Sequence, residues 1–291
     1  MATIPSVFDI WSAITEWAPR EFAESWDSIG LQVGDPAAPV HKILVVLDPT
    51  ENALGEAERT GADLVVAHHP LLFRPVTSLD ISLPVPGLAA RFLRSGIALL
   101  ACHTNLDSVS GGVSDLLAGI MGLEGLEPLR PLAGGLPGGL GRIGGLPEVL
   151  TLAEVVERLA RSLAEPCLRV VGDPKTPVRK IAVCGGSGSD LWPDVLSRRA
   201  DLYVSAELKH HVAREAEYLQ VALVDAGHFA TEWLIVPALA EYLERSALAR
   251  GWEVKVEVFE GERSPFGCII PDGQGTFRHI PGSRPGLFHP R

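Results

Sequence analysis

The stretch Asp63-Leu-Val-Val-Ala-His68-His69-Pro70-Leu-Leu-Phe73 constrains the fold of this chain more than any other. Its apolar part has strand length and lies between Gly61 and Pro70, so it reads as a strand buried on both faces. Neighbouring side chains of a strand point to opposite faces, so His68 and His69 can converge only where the chain leaves the ladder. Pro70 supplies that exit, because it has no N–H to donate. Ligands of open α/β sheets gather outside the carboxyl ends of the strands, and two imidazoles there point to a metal.

The surrounding pattern repeats this arrangement. Lys42–Asp48 is a strand, Pro49–Arg59 a helix and Ala62–Ala67 the next strand, which makes a βαβ unit with a parallel pair. A helix over 86–95 leads to a strand over 97–102 that delivers His103 and Asp107, and a helix is predicted over 112–121. Val7, Ile10, Trp11, Ile14 and Trp17 predict an amphipathic helix stopped by Pro19. Lys42-Ile43 is followed by Ala62-Asp63-Leu64, and Lys180-Ile181 by Ala200-Asp201-Leu202 at the same offset. That coincidence predicts a duplicated unit. The second copy continues through Leu202–His211, with Glu207, His210 and His211, and through Gln220–His228. A helix after His228 and a strand over 254–259 complete it.

Residues 122–147, with many glycines and four prolines, read as a connection rather than a folded element. Gly139, Gly141 and Gly144 match a dinucleotide fingerprint by letter, but no strand is predicted before them and Pro147 follows, so that reading fails. Thr151 and Glu154 form a capping-box pattern that opens a helix to about Leu163. The expected organisation is a first α/β half over 1–125, a Gly/Pro-rich connection over 126–150, a second α/β half over 151–268 and a C-terminal extension over 269–291. The fold class is α/β: two similar domains with mixed sheets flanked by helices, and a metal site in the cleft between them.

Composition narrows the function. A formal net charge of −11 opposes counterion-release binding, so nucleic acid is not the expected partner. No basic leader and no membrane-length apolar run is present, which predicts a cytoplasmic protein. Cys102, Cys167, Cys184 and Cys268 form no C-x-x-C and read as reduced, mostly buried thiols.

The candidate ligands are His68, His69, Asp107, His228 and Glu232. His228 and Glu232 are four residues apart at the start of a helix and share one face. Three imidazoles and two carboxylates without thiolate suit Zn, Fe, Mn, Co or Ni, and five donors argue for two ions. Proton transfer at such a centre needs an acid or base, for which His103 and Glu207 are the candidates, their alternative being to orient the ligands. His210 and His211 line the site. Gly185-Gly-Ser-Gly-Ser189 reads either as an anion-cradling turn or as a plain tight turn.

Taken together, Trp26–Gly34, Ala67–Pro70, His103–Asp107, Cys184–Gly188, Ser205–His211 and Asp225–Glu232 resemble the GTP cyclohydrolase 1 type 2 homologs, the YbgI-like dinuclear metal-centre proteins. The resemblance spans roughly residues 5–268. It implies a two-metal site at the five positions above, Asp27 among the lining residues, and a toroidal homo-hexamer with its sites facing an internal cavity. It implies no inserted third domain, because residues 122–180 are too few, and Ser28 stands where the family usually has Asn. The activity it implies is metal-dependent hydrolysis of a small-molecule substrate, a nucleotide or related heterocycle. The alternatives are a metal chaperone or storage protein that needs the ligands but no acid or base, and an interaction scaffold.

Overall fold

The computed structural model describes residues 3–271 and 277–284. Along the chain lie α1 (Val7–Trp17), β1 (Gly30–Val33), β2 (Lys42–Val46), α2 (Glu51–Thr60), β3 (Leu64–Ala67), α3 (Pro84–Ser95), β4 (Ala98–Ala101) and α4 (Thr104–Ser108). Next come α5 (Val113–Ile120), β5 (Glu124–Pro131), β6 (Gly139–Thr151), α6 (Leu152–Leu163), β7 (Arg169–Val171), β8 (Pro177–Ser187) and α7 (Trp192–Ser197). The chain closes with β9 (Leu202–Ala206), α8 (His210–Leu219), β10 (Ala222–Asp225), α9 (His228–Glu232), α10 (Ile235–Arg250), β11 (Lys255–Val258), β12 (Cys268–Pro271) and β13 (Phe277–Ile280).

Two compact units result, one of residues 1–109 and 235–262, the other of residues 110–234 and 263–291. The first unit's sheet has the order β1-β4-β3-β2-β11, with β1 antiparallel and the rest parallel. The second unit's has the order β5-β6-β8-β9-β10-β7, with β8, β9 and β10 parallel. Both are mixed sheets flanked by helices, which is the expected fold class. No described helix is long and apolar enough to cross a membrane.

Local signals explain most elements. Ser6 caps α1 with a reciprocal bond to Asp9, and Thr151 and Glu154 cap α6 in the same way. Gly61, in the left-handed region, ends α2. All four residues of β3 are fully buried, as are those at the centre of β2, so the parallel core reads as continuous apolar runs. The repeat has an atomic basis within each unit. In the first, Asp63 Oδ2 accepts from the amides of His41 (2.7 Å) and Lys42 (3.0 Å), and Lys42 Nζ donates to Thr60 O (3.1 Å). In the second, Asp201 Oδ2 accepts from the amides of Arg179 (3.0 Å) and Lys180 (2.8 Å), and Lys180 Nζ donates to Arg198 O (2.6 Å). The matching Lys and Asp therefore tie each first strand to the turn before its second.

Three expectations are corrected. Residues 126–150 are not a connection: they carry most of β5 and nearly all of β6, an antiparallel pair inside the second sheet. The glycines there permit close strand approach. A side chain at Gly144 would stand 2.8 Å from Glu124 O, and Gly141 has φ +65°. Second, α10 and β11 belong to the first unit, because β11 pairs with β2 in parallel, Lys255 opposite Lys42. The helix expected to run on from His228 is broken between α9 and α10. Third, part of the extension over 269–291 is structured, since β12 pairs with β13; residues 272–276 and 285–291 lie outside the described residues. Residues 122–180 form elements of the second unit's own sheet and α6. Of the thiols, Cys102 and Cys184 are buried, Cys268 is half-buried and Cys167 is exposed.

Candidate metal centre

In the first unit, β3 ends at Ala67, so His68 and His69 follow the last ladder pair. Their amides still donate to Val46 O (3.1 Å) and Leu47 O (3.0 Å), which fixes their backbone to the end of β2. Freed from the pleat, the two rings converge, with centroids 5.0 Å apart. β4 ends at Ala101 and delivers His103 as the cap of α4, its ring 5.3 Å from His68 and 5.5 Å from His69. One ligand atom from each of these three histidines lies within 4.8 Å of the others. Asp107, on α4, places Oδ1 3.6 Å from His68 Nε2. Two ligands of one tetrahedral ion sit about 3.4 Å apart, given bonds of about 2.1 Å, so this spacing suits a shared cation.

Each ring is held by its other nitrogen. His68 Nδ1 bonds Cys102 O (2.9 Å), His69 Nδ1 bonds Asp48 Oδ1 (2.8 Å) and His103 Nδ1 bonds Asp27 Oδ1 (2.8 Å). All three acceptors are oxygens, so Nδ1 carries the proton and the lone pair resides on Nε2, the tautomer a metal needs. Burial pushes the Cys102 thiol far up, which keeps it a neutral neighbour rather than a thiolate ligand.

Asp27 also accepts from the Thr104 amide (3.0 Å) and hydroxyl. Burial works to raise its carboxyl, but the bonds from His103 and Thr104 and the charge of His103 outweigh that and hold it at about 2. A carboxyl lowered from an ordinary 3.8 adds stability that is present above pH 4 and is lost as pH falls towards 2. The stability gap between the protein and Asp27→Asn, measured by denaturant titration, is expected to shrink by about 1–2 kcal/mol between pH 5 and pH 2. A gap independent of pH would contradict this account of Asp27.

In the second unit, β10 ends at Asp225 and Gly227, at φ +82°, turns the chain into α9. His228 Nε2 then lies 2.8 Å from Glu232 Oε2, one turn on, and Glu232 is buried. His228 Nδ1 bonds Glu207 Oε1 (3.0 Å), which repeats the pinning seen in the first unit. Glu207 follows β9 at φ +53°, a left-handed conformation that costs a non-glycine residue about 1 kcal/mol. His210 and His211 are exposed on the first turn of α8, outside the bonds around His228.

Gly185 and Gly186, at the end of β8, lie close against Glu232, and Gly186 also against His228. A side chain at Gly185 would overlap Val113, and one at Gly186 would overlap Glu232. The Gly186 amide is taken by Thr231 Oγ1 (3.0 Å), and Tyr203 Oη (2.8 Å) and Ser205 Oγ (3.1 Å) bond the carbonyls of Gly188 and Gly186. The segment is thus a packed strand end, and the anion-cradle reading is set aside for Gly186.

Asp48, Thr231 and Gln32 were not among the sequence candidates. Asp48 had a signal, an acid at the carboxyl end of a strand. Thr231 and Gln32 had none, since each acts through backbone groups of another segment.

Residues 5–265 match the family Duf34/NIF3 (NGG1p interacting factor 3). A GTP cyclohydrolase 1 type 2 homolog of Streptomyces coelicolor is 37% identical over 268 residues, covering 90% of this chain and 94% of that protein. One of Clostridium perfringens is 32% identical over 261 residues, covering 90% and 98%. Among solved structures, a Bacillus cereus protein related to NIF3 is similar with a TM-score of 0.86 at 26% identity, covering 91% of this chain and 99% of that one.

Proposed function

Because the chain belongs to the DUF34/NIF3 family, we propose that it is a dinuclear-metal hydrolase acting on a nucleotide or related heterocycle. The two divalent transition ions, of Zn, Fe, Mn, Co or Ni, have His68, His69, Asp107, His228 and Glu232 as ligands. The observation that carries this reading is that His68, His69 and His228 each have Nδ1 bonded to an oxygen acceptor, which makes Nε2 the ligating nitrogen of all three. When bound, such ions polarise the substrate and stabilise developing negative charge.

The chain's own groups do the rest. Asp27, ionised through the working pH range, accepts from His103 Nδ1 and fixes the ring, so His103 can take a proton at Nε2 and return it. Asp48 and Glu207 keep His69 and His228 turned with Nε2 outward. A cytoplasmic homo-hexamer, the assembly that the sequence resemblance implies, is part of the proposal.

The test is elemental analysis paired with nucleotide turnover. Wild type and His103→Gln are expected to carry about two ions per chain, while turnover falls roughly 10²- to 10⁴-fold in the variant. Unchanged turnover with unchanged metal would remove His103 from the reaction. A second reading, a metal-holding protein without catalysis, is favoured by one observation, that His103 shares the 4.8 Å group with His68 and His69. Under it His103→Gln loses metal, and wild type turns over no nucleotide.

A further inference from the structure

Two large aromatic side chains beside the first unit's histidines remain exposed. Trp26 is 56% exposed and Phe73 is 46% exposed. Single exposed apolar residues are ordinary, but these two form a cluster. Their ring centroids are 5.7 Å apart at 67°, and each lies 6.2 Å from the His103 ring.

They come from different loops, and the loops are tied together. Trp26 precedes Asp27, whose carboxylate is fixed on His103 and Thr104. Phe73 follows Leu72, whose amide donates to Gln32 Oε1 (2.9 Å), while Gln32 Nε2 donates to Ser28 O (2.9 Å). Gln32 is therefore a strut between the Trp26 loop and the Phe73 loop.

An aromatic face held open next to proton-transferring and metal-ligating groups recognises a planar π-system, because stacking needs only a flat partner and excludes water from one side of it. We propose that Trp26 and Phe73 form the specificity wall of the site, with the heterocyclic ring of the substrate stacked on Trp26, bordered by Phe73 and presented to His103. This rests on the hydrolase reading for what happens next, but not for the binding itself. The wall explains why a nucleotide rather than a bare phosphate chain would be selected, since the phosphates have no face to stack.

Calorimetric titration of the metal-loaded protein tests this, with GTP, ATP, CTP and UTP as ring-bearing probes and inorganic tripolyphosphate as the ringless one. Wild type is expected to bind at least one nucleotide more tightly than tripolyphosphate. Trp26→Ala should weaken that nucleotide roughly tenfold to hundredfold, leave tripolyphosphate within twofold and retain its metal. Trp26→Phe should restore most of the loss, and Phe73→Leu should show a smaller nucleotide-specific loss. Because Trp26 is exposed, its truncation is not expected to unfold the protein. The wall is overturned if no nucleotide binds more tightly than tripolyphosphate, or if Trp26→Ala binds all probes as wild type does. A nucleotide-specific loss in a protein that turns over no nucleotide keeps the wall and removes the hydrolase reading.

Discussion

Replacing Glu262 by Ala is expected to lower stability by about 3 kcal/mol, a fall in melting temperature of roughly 6–12 °C. Glu262 is buried and lies at the end of the segment that brings α10 and β11 into the first unit. Its carboxylate accepts from the Leu47 amide on both oxygens (3.0 and 2.9 Å) and from the Asp48 amide (2.9 Å). Those two N–H groups stand just beyond β2, where the ladder has ended, and no water reaches Leu47. Removing the acceptor strands two donors at about 1–3 kcal/mol each when buried, with the more exposed Asp48 at the low end. The same loss loosens Asp48, the partner of His69 Nδ1, so metal content should drop with stability. Glu262→Gln keeps one acceptor and should lose less than half as much. A melting temperature for Glu262→Ala within 1 °C of wild type would show that these amides find other partners.

The strand ends were legible because a strand buried on both faces leaves an apolar run that stops abruptly. His68, His69 and His103 each follow such a run, and the structure sets all three just past the last ladder pair. The βαβ order was legible for the same reason. Residues 126–150 were not, because glycine carries two meanings that composition cannot separate. At Gly61 it ends a helix in the left-handed region, whereas at Gly144 it lets β5 and β6 approach within a strand pair. The return of β11 to the first sheet was hidden too. Its pairing with β2 joins residues more than 200 apart, and an alternating strand such as Lys255–Val258 suits the edge of either unit. Asp27 could be placed at the site only through resemblance, since its bonds to His103 and Thr104 cross more than 70 residues.

Gly186→Ala should disable the pair His228 and Glu232, proposed as ligands, while both residues stay in the sequence. Gly186 has φ +63°, and a β-carbon there would overlap Glu232 Oε1, lying 2.8 Å from Glu232 Cδ and 3.2 Å from His228 Nε2. Neither backbone can retreat. The Gly186 amide is bonded to Thr231 Oγ1, and that hydroxyl donates back into the first turn of α9. Phe229, Ala230, Thr231 and Glu232 are all buried, so α9 has no room to shift as a body. The only yielding element is the Glu232 side chain, which must rotate its carboxylate away from His228. Metal content measured at limiting metal should therefore fall at least tenfold. Stability should fall by about 1–3 kcal/mol from the overlap and the left-handed alanine. Gly55→Ala is the matched control, because it lies within α2 and its β-carbon would meet nothing within 4 Å. It should raise stability by about 0.5–1 kcal/mol and leave metal uptake unchanged. Equal metal content in the two variants would mean that Glu232 is not a ligand, and the proposed ligand set would lose its buried carboxylate.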